Sequence, residues 1–510
     1  MKIEFDPNQN TKPTDRSWQI CVGSDHAFQA HRADWQRDLK FVHNELGFKY
    51  VRFHGILDND MNTFQRCSDF ISVPGAKKIE YHNFWQVGQV YDAILKAGMR
   101  PFVELGFMPS ALASGKATIM HYKGNVTLPR SFEAWHDHVK EFTQFLLDRY
   151  GKEEVEQWYF EVWNEADLFN FFRGEQKDYF KLYKYTVTAI KEVDNNLRVG
   201  GPATSGNRWI PEFRAYRESE KLPFDFISTH HYPGDGFGQS LGAGMMMHLL
   251  KTIRNGAGKS LADVNKELFY DPEVFKRIPK GELHRQMVMT KSQASDRPLL
   301  YTEWNNSSVY GAPVHDSKFS AAFAFKTVLD IDGEVGCYSF WNFSDIYEEI
   351  FFMAEPFNGA FGLVTIDGIP KPSFWAFKLL SLLGDIRYEW HFENGDVEAA
   401  AFNKNGALQL AVYKQSTVER SEPEQVKIVL TDLDKPNRVT VMKIDDNHCN
   451  PQGEWKKLGS PRYLSNGQVE MIKQNSALRE ENLAYEYKND ILTLSTDLDV
   501  NDIQLLMINF

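Results

Sequence analysis

Tyr159-Phe160-Glu161-Val162-Trp163-Asn164-Glu165 and Leu299-Leu300-Tyr301-Thr302-Glu303-Trp304-Asn305 decide the fold. Each is an apolar, aromatic and β-branched run that reaches a carboxylate, the pattern of a buried parallel strand carrying an acid to the open end of a sheet. One such glutamate says little. Two of them, about 140 residues apart in a chain of alternating strand and helix signals, match the paired carboxylates that glycoside hydrolysis requires.

Working outward from these runs, further strand signals cover Trp18 to Val22, Lys49 to Phe53, Arg100 to Leu105, Leu197 to Gly200, Asp225 to His230 and Gly336 to Trp341. With Gln157 to Trp163 and Pro298 to Glu303 they make eight. Amphipathic helical stretches lie between them, at Asp34 to Leu46, Phe84 to Ala97, Ser131 to Tyr150, Gln176 to Val193 and Ser317 to Ile331, with Phe374 to Leu383 after the last. Strand then helix, repeated eight times, predicts an α/β chain whose residues 15–385 form a (β/α)8 TIM barrel with its chemistry on the loops after the strands. A doubly wound open sheet is the competing layout, weakened by the missing Gly-rich phosphate turn after the first strand. The connection from Pro233 to Glu282 is long and contains Gly-Ala-Gly-Met-Met-Met, so a lid or interaction surface is expected there. After about residue 386, short alternating runs separated by Asn-Gly, Asp and Pro turns predict a C-terminal antiparallel β-sandwich. Residues 1–14, through a strand near Lys2 to Phe5, are expected to join it.

At 510 residues the chain is too long for one hydrophobic core, which suits a barrel with a smaller accessory domain. A net charge of −12 argues against nucleic acid or an anionic membrane as partner. Cys21, Cys67, Cys337 and Cys449 are widely spaced, so neither a zinc knuckle nor a disulfide framework is expected, and no run is apolar enough to span a membrane. The N-terminus lacks signal-peptide features, which predicts a cytoplasmic protein.

Breaking an acetal requires one carboxyl group that holds its proton and another that stays ionised. Glu165 is the candidate proton donor and Glu303 the candidate nucleophile, on strands four and seven across the barrel mouth. Glu161, two and four residues before Trp163 and Glu165, is expected to face the same way but deeper, paired with an Arg or Lys. Asn164 offers an amide to a sugar hydroxyl. His230, His231 and Tyr232 end strand six, where a His and a Tyr beside the nucleophile suit the pattern better than a metal site, which would need a third ligand at recognisable spacing. His54 closes strand two and Trp341 strand eight.

At these residues the sequence resembles the clan A retaining glycosidases, and more narrowly the β-xylosidases of glycoside hydrolase family 39. The matches include Glu45 to Arg52 with His54-Gly55, Arg100 to Pro109, Gly124 to Thr127, Phe160 to Glu165, Val199 to Ala203, Thr302-Glu303, Pro313 to Asp316, Ser339 to Asp345, Gly359 to Val364 and Pro370 to Pro372. The resemblance implies Glu165 as acid/base, Glu303 as nucleophile, sugar contacts from Asn164, His230 and Trp341, and a grip on distal hydroxyls by Glu348 or Glu349. It also implies a short xylo-oligosaccharide as substrate, and the proposed chemistry requires neither cofactor nor metal. Ala166-Asp167 stand where the family commonly has a proline, and Tyr122 where a Trp is common. Another sugar, such as an arabinoside or iduronide, a silent carbohydrate-binding protein, and a homo-oligomer all stay open.

Overall fold

The computed structural model describes residues 1–66, 80–234, 276–294, 297–349, 355–417 and 422–510, together with Lys251 and Arg254. Eight parallel strands, Cys21–His26, Tyr50–His54, Arg100–Leu105, Tyr159–Val162, Arg198–Thr204, Phe226–His231, Leu299–Trp304 and Cys337–Phe340, pair in chain order and close into a barrel. The protein is therefore an α/β barrel with largely antiparallel sheets at its C-terminal end, the exception being Lys2–Phe5, which pairs parallel with Glu424–Leu430. Most of the connection from Pro233 to Glu282, and Cys67, lie outside the described residues.

The outer helices follow from the sequence periodicity. Ala33–Leu46 buries Trp35, Leu39, Val42 and Leu46 on one face and stops at Gly47, whose φ of 82° lets its N–H return to the His43 carbonyl at 2.8 Å. Phe132–Tyr150 starts where the Ser131 hydroxyl accepts the Ala134 N–H, and Gln176–Val193 starts in a reciprocal cap between Glu175 and Asp178. The first strand begins later than Trp18. That indole packs edge-on to Phe48 and against Phe377, and the strand instead runs through Gly23-Ser24-Asp25-His26, where barrel pairing overrides weak local propensity.

Alternation along the strands builds layers inside the barrel. Cys21, Tyr50, Phe102, Phe226, Leu300 and Cys337, with Tyr159 against them, form a separate apolar cluster. Two residues further along, the same strands present Arg52, Glu104, Glu161 and Thr302, so the next layer is charged. Two local departures from alternation shape the mouth. The seventh strand shifts register between Tyr301 and Trp304, so Thr302 and Glu303 both face inward, bonding Glu161 and Arg52 respectively, while Trp304 stacks on Tyr338 outside. At the end of the fourth strand Trp163 adopts φ 69°. Its indole packs edge-on to Phe107 and Phe172, away from Glu161, so the shared face expected for Glu161, Trp163 and Glu165 is not formed.

Beyond the barrel, Lys2–Phe5, Glu424–Leu430, Ile491–Leu498 and Tyr485–Lys488 form one sheet. Thr11–Pro13, Ile386–Asn394, Val397–Lys404, Ala407–Lys414, Ile503–Asn509, Arg438–Ile444 and Glu480–Asn482 form a second. Ile3, Phe5, Val397, Leu410, Ile428 and Leu494 fill the space between them. Ala400, Phe402, Ala411 and Tyr413, on the other face of the larger sheet, join the barrel core. Two short helices, Pro451–Lys457 and Asn466–Asn475, interrupt the all-β texture expected here. Asn450 and Ser465 cap them, with Pro451 at the first helical position. Among the described residues no helix is long and apolar enough to cross a membrane.

Candidate active site

Arg52 organises the top of the barrel. Fully buried, it donates from Nε to Glu161 at 2.6 Å, from Nη1 to Glu303 at 2.8 Å and from Nη2 to Asn164 Oδ1 at 2.8 Å, and Nη2 also lies 3.0 Å from Glu104. Strands two, three, four and seven are thereby tied through one planar guanidinium, which suits several simultaneous acceptors as an ammonium would not. Glu161 is the paired structural acid expected of it. With Asn164 Oδ1 engaged, the NH2 half of that amide is the half left for a ligand.

Glu165 and Glu303 reach the same cavity, of about 200 Å3, lined also by His54, Asn164, Leu168, Phe171, Ser205, Tyr232, Trp341, Tyr347 and Glu349 among others. Glu165 (φ 43°) is turned over the mouth by its N–H bond to Ala203 O at 2.8 Å. His230 Nδ1 stands 3.0 Å from Glu165 Oε1 and 3.6 Å from Glu303 Oε2, and oxygens of the two carboxylates lie within 4.8 Å of each other. An oxygen-to-oxygen approach this near fits the separation of about 5–5.5 Å used in double displacement better than the roughly 6.5–9.5 Å of inversion.

The two acids differ in their surroundings. Burial, helped by the Glu349 charge, pushes the Glu165 carboxyl up to about 7 against the opposing pull of His54 and Arg52. Burial also raises Glu303, but the Arg52 and His54 charges oppose it, and direct bonds from Arg52 and from the Tyr232 hydroxyl at 3.2 Å favour its ionised form. Burial lowers His230 to about 4, so it faces the carboxylates as a neutral imidazole. His54 keeps its proton despite burial because Glu104 lies 2.6 Å from Nδ1 and Glu349 3.3 Å from Nε2.

The structure separates the remaining candidates. His54, Asn164, Tyr232 and Trp341 line the cavity; His230 is not among its lining residues and stands against Glu165 and Glu303 instead. Of the Glu348-Glu349 pair only Glu349 faces the cavity. The Glu348 backbone N–H is held by Asp25 at 2.6 Å and its side chain turns towards Arg32. Tyr122 stacks on His26 with ring centroids 3.8 Å apart. Tyr347, Phe171 and Ser205 carry no strand-end signal of their own and are seen only in three dimensions. Glu104 could have been found as an acid alternating with apolar residues in strand three.

The loop bearing Tyr347 and Glu349 is anchored from beneath. Buried Lys371 lies 2.7 Å from both Asp316 and Asp345 and donates to Ala360 O at 2.9 Å, while Asp345 accepts the Gly362 N–H and Asp316 the Gly359 N–H. These motifs after strands seven and eight thus form a scaffold rather than a ligand set. Two groups of described residues place three donor atoms close enough for a cation, Glu165 with His230 and Glu303, and His26 with Asp58 and Asp60. In the first, the donors are the acid pair itself; in the second, the imidazole already balances the carboxylates, which raise it to about 10 against burial.

Residues 1–488 match the sequence profile of Glycosyl hydrolases family 39. The chain belongs to that family. It is 39% identical over 495 residues to a β-xylosidase of Caldicellulosiruptor saccharolyticus, covering 96% of this chain and 94% of that protein. It is 31% identical over 520 residues to a β-xylosidase of Geobacillus stearothermophilus, covering 100% and 95%. Among solved structures, a family 39 β-xylosidase from Caulobacter crescentus superposes with a TM-score of 0.75 at 30% identity over the full length of both chains. This family 39 hydrolase accordingly shares the barrel and appended sandwich of those enzymes.

Proposed function

We propose that the protein is a retaining exo-β-xylosidase that releases xylose from the non-reducing ends of short xylo-oligosaccharides. Glu303 Oε2 attacks the anomeric carbon as the bond to the leaving oxygen breaks, and Glu165 gives that oxygen its proton. Glu165 then takes a proton from water, whose oxygen displaces Glu303 from the anomeric carbon. The observation that carries this reading is the pair of carboxylates within 4.8 Å over one small cavity with Trp341 and Glu349 on its wall.

The sugar reading rests on the wall and on the relatives. Among its described lining residues the cavity has no Lys or Arg, whereas a uronic acid would call for a cation at the C5 edge of the sugar. Both reacting acids are present, which disfavours a silent binding protein. Assay of nitrophenyl β-xyloside, α-arabinoside, β-glucoside and α-iduronide, with Glu303→Ala as control, tests the reading. The xyloside should have the highest kcat/KM and the variant should lose about 10,000-fold or more. Preference for another glycoside overturns the sugar, and equal activity of the variant overturns the mechanism.

A further inference from the structure

Glu165 gives its proton to the departing oxygen, so the part of the substrate that leaves must lie on the Glu165 side of the cavity. The segment that follows Glu165 is fixed there by its own backbone: Leu168 N–H bonds Glu165 O at 2.9 Å, Phe171 N–H bonds Leu168 O at 2.9 Å, and Arg173 N–H bonds Val126 O at 2.8 Å. The Trp163 indole N–H holds Phe171 O at 2.9 Å. Leu168 and Phe171 line the cavity. Phe169, between them, is 71% exposed, the most exposed large hydrophobic side chain among the described residues. Its ring is not loose, because the Arg173 guanidinium carbon sits 3.7 Å from its centroid. A phenyl ring with one face backed by a cation, on a hydrogen-bonded loop beside the proton donor, has no packing role that explains its position.

We propose that Phe169 is the stacking platform of a leaving-group subsite, its free face receiving the apolar C–H face of the sugar that departs from Glu165. This rests on the xylosidase reading above. Such a contact buries apolar area only when a second ring is present, so it separates disaccharides from substrates with a small leaving group.

The test compares Phe169→Ala and Phe169→Trp with the wild type on xylobiose and on β-xylosyl azide, whose leaving group is too small to reach the ring. Phe169→Ala should lose about tenfold in kcat/KM on xylobiose and stay within twofold on the azide, and Phe169→Trp should retain most of the xylobiose activity. Equal losses on both substrates, or no loss on xylobiose, overturn the platform. Failure of the wild type to cleave either xyloside overturns the sugar reading instead, and the disaccharide and azide of the sugar it does cleave then decide the platform by the same comparison.

Discussion

Gly23→Ala is a change of one methyl group whose effect can be worked from the structure. Gly23 lies in the first barrel strand, directly under the indole of Trp341. A Cβ there would stand 2.5 Å from Trp341 Cε3 and 3.2 Å from Phe340 O. Carbon atoms settle at about 3.5–4.0 Å, so the indole must retreat by about 1 Å, and neither a rigid ring nor a strand carbonyl yields as the end of a flexible chain would. Overpacking of this kind costs about 1–3 kcal/mol. Because Trp341 walls the cavity beside His54, with ring centroids 4.9 Å apart, the displacement reaches the bound sugar, and misplacement by about 1 Å can cost about 100-fold in rate. The expected outcome is a kcat/KM on nitrophenyl xyloside lowered between about 10- and 100-fold, with a melting temperature lower by a few degrees. Trp341→Phe in the same background should recover part of the stability. Wild-type kcat/KM in Gly23→Ala would refute the claim that this glycine holds the cavity wall in place.

The Glu165 carboxyl, raised to about 7, must be protonated to act first, so kcat/KM should fall as pH rises through about 7; a flat profile to pH 9 would assign the acid elsewhere. Arg52→Met removes the cation shared by Glu161, Glu104 and Glu303, leaving Glu104 only His54, and should destabilise the fold by about 3–5 kcal/mol in denaturant titrations. Lys371→Met strands Asp316 and Asp345 and should cost a similar amount, with a raised KM if the Glu349 loop loosens; an unchanged melting temperature would deny that scaffold its role. Glu349→Gln should raise KM more than it lowers kcat and move the alkaline limb to lower pH, because a charge that raises Glu165 is removed.

The strands and helices are legible because buried parallel strands and amphipathic helices have different periods, and the paired acids because a glutamate ending an apolar run is conspicuous. What alternation cannot supply is local irregularity. Thr302 and Glu303 share an inward face only through a register shift, and Trp163 leaves the face of Glu161 through a left-handed backbone angle. Nor can neighbours in sequence be told apart when a distant partner decides between them, as Asp25 does by holding the Glu348 N–H. His230 likewise ends its strand as a contact residue would, yet it stands against the carboxylates and is not among the residues lining the cavity.

The shared guanidinium of Arg52 has an evolutionary corollary. The residue that balances the reacting pair also fastens four staves of the barrel, so reactivity at the mouth cannot drift by exchanging it without loosening the cask. Descendants of this scaffold are accordingly freer to acquire new sugars through their rims than new chemistry at their centre.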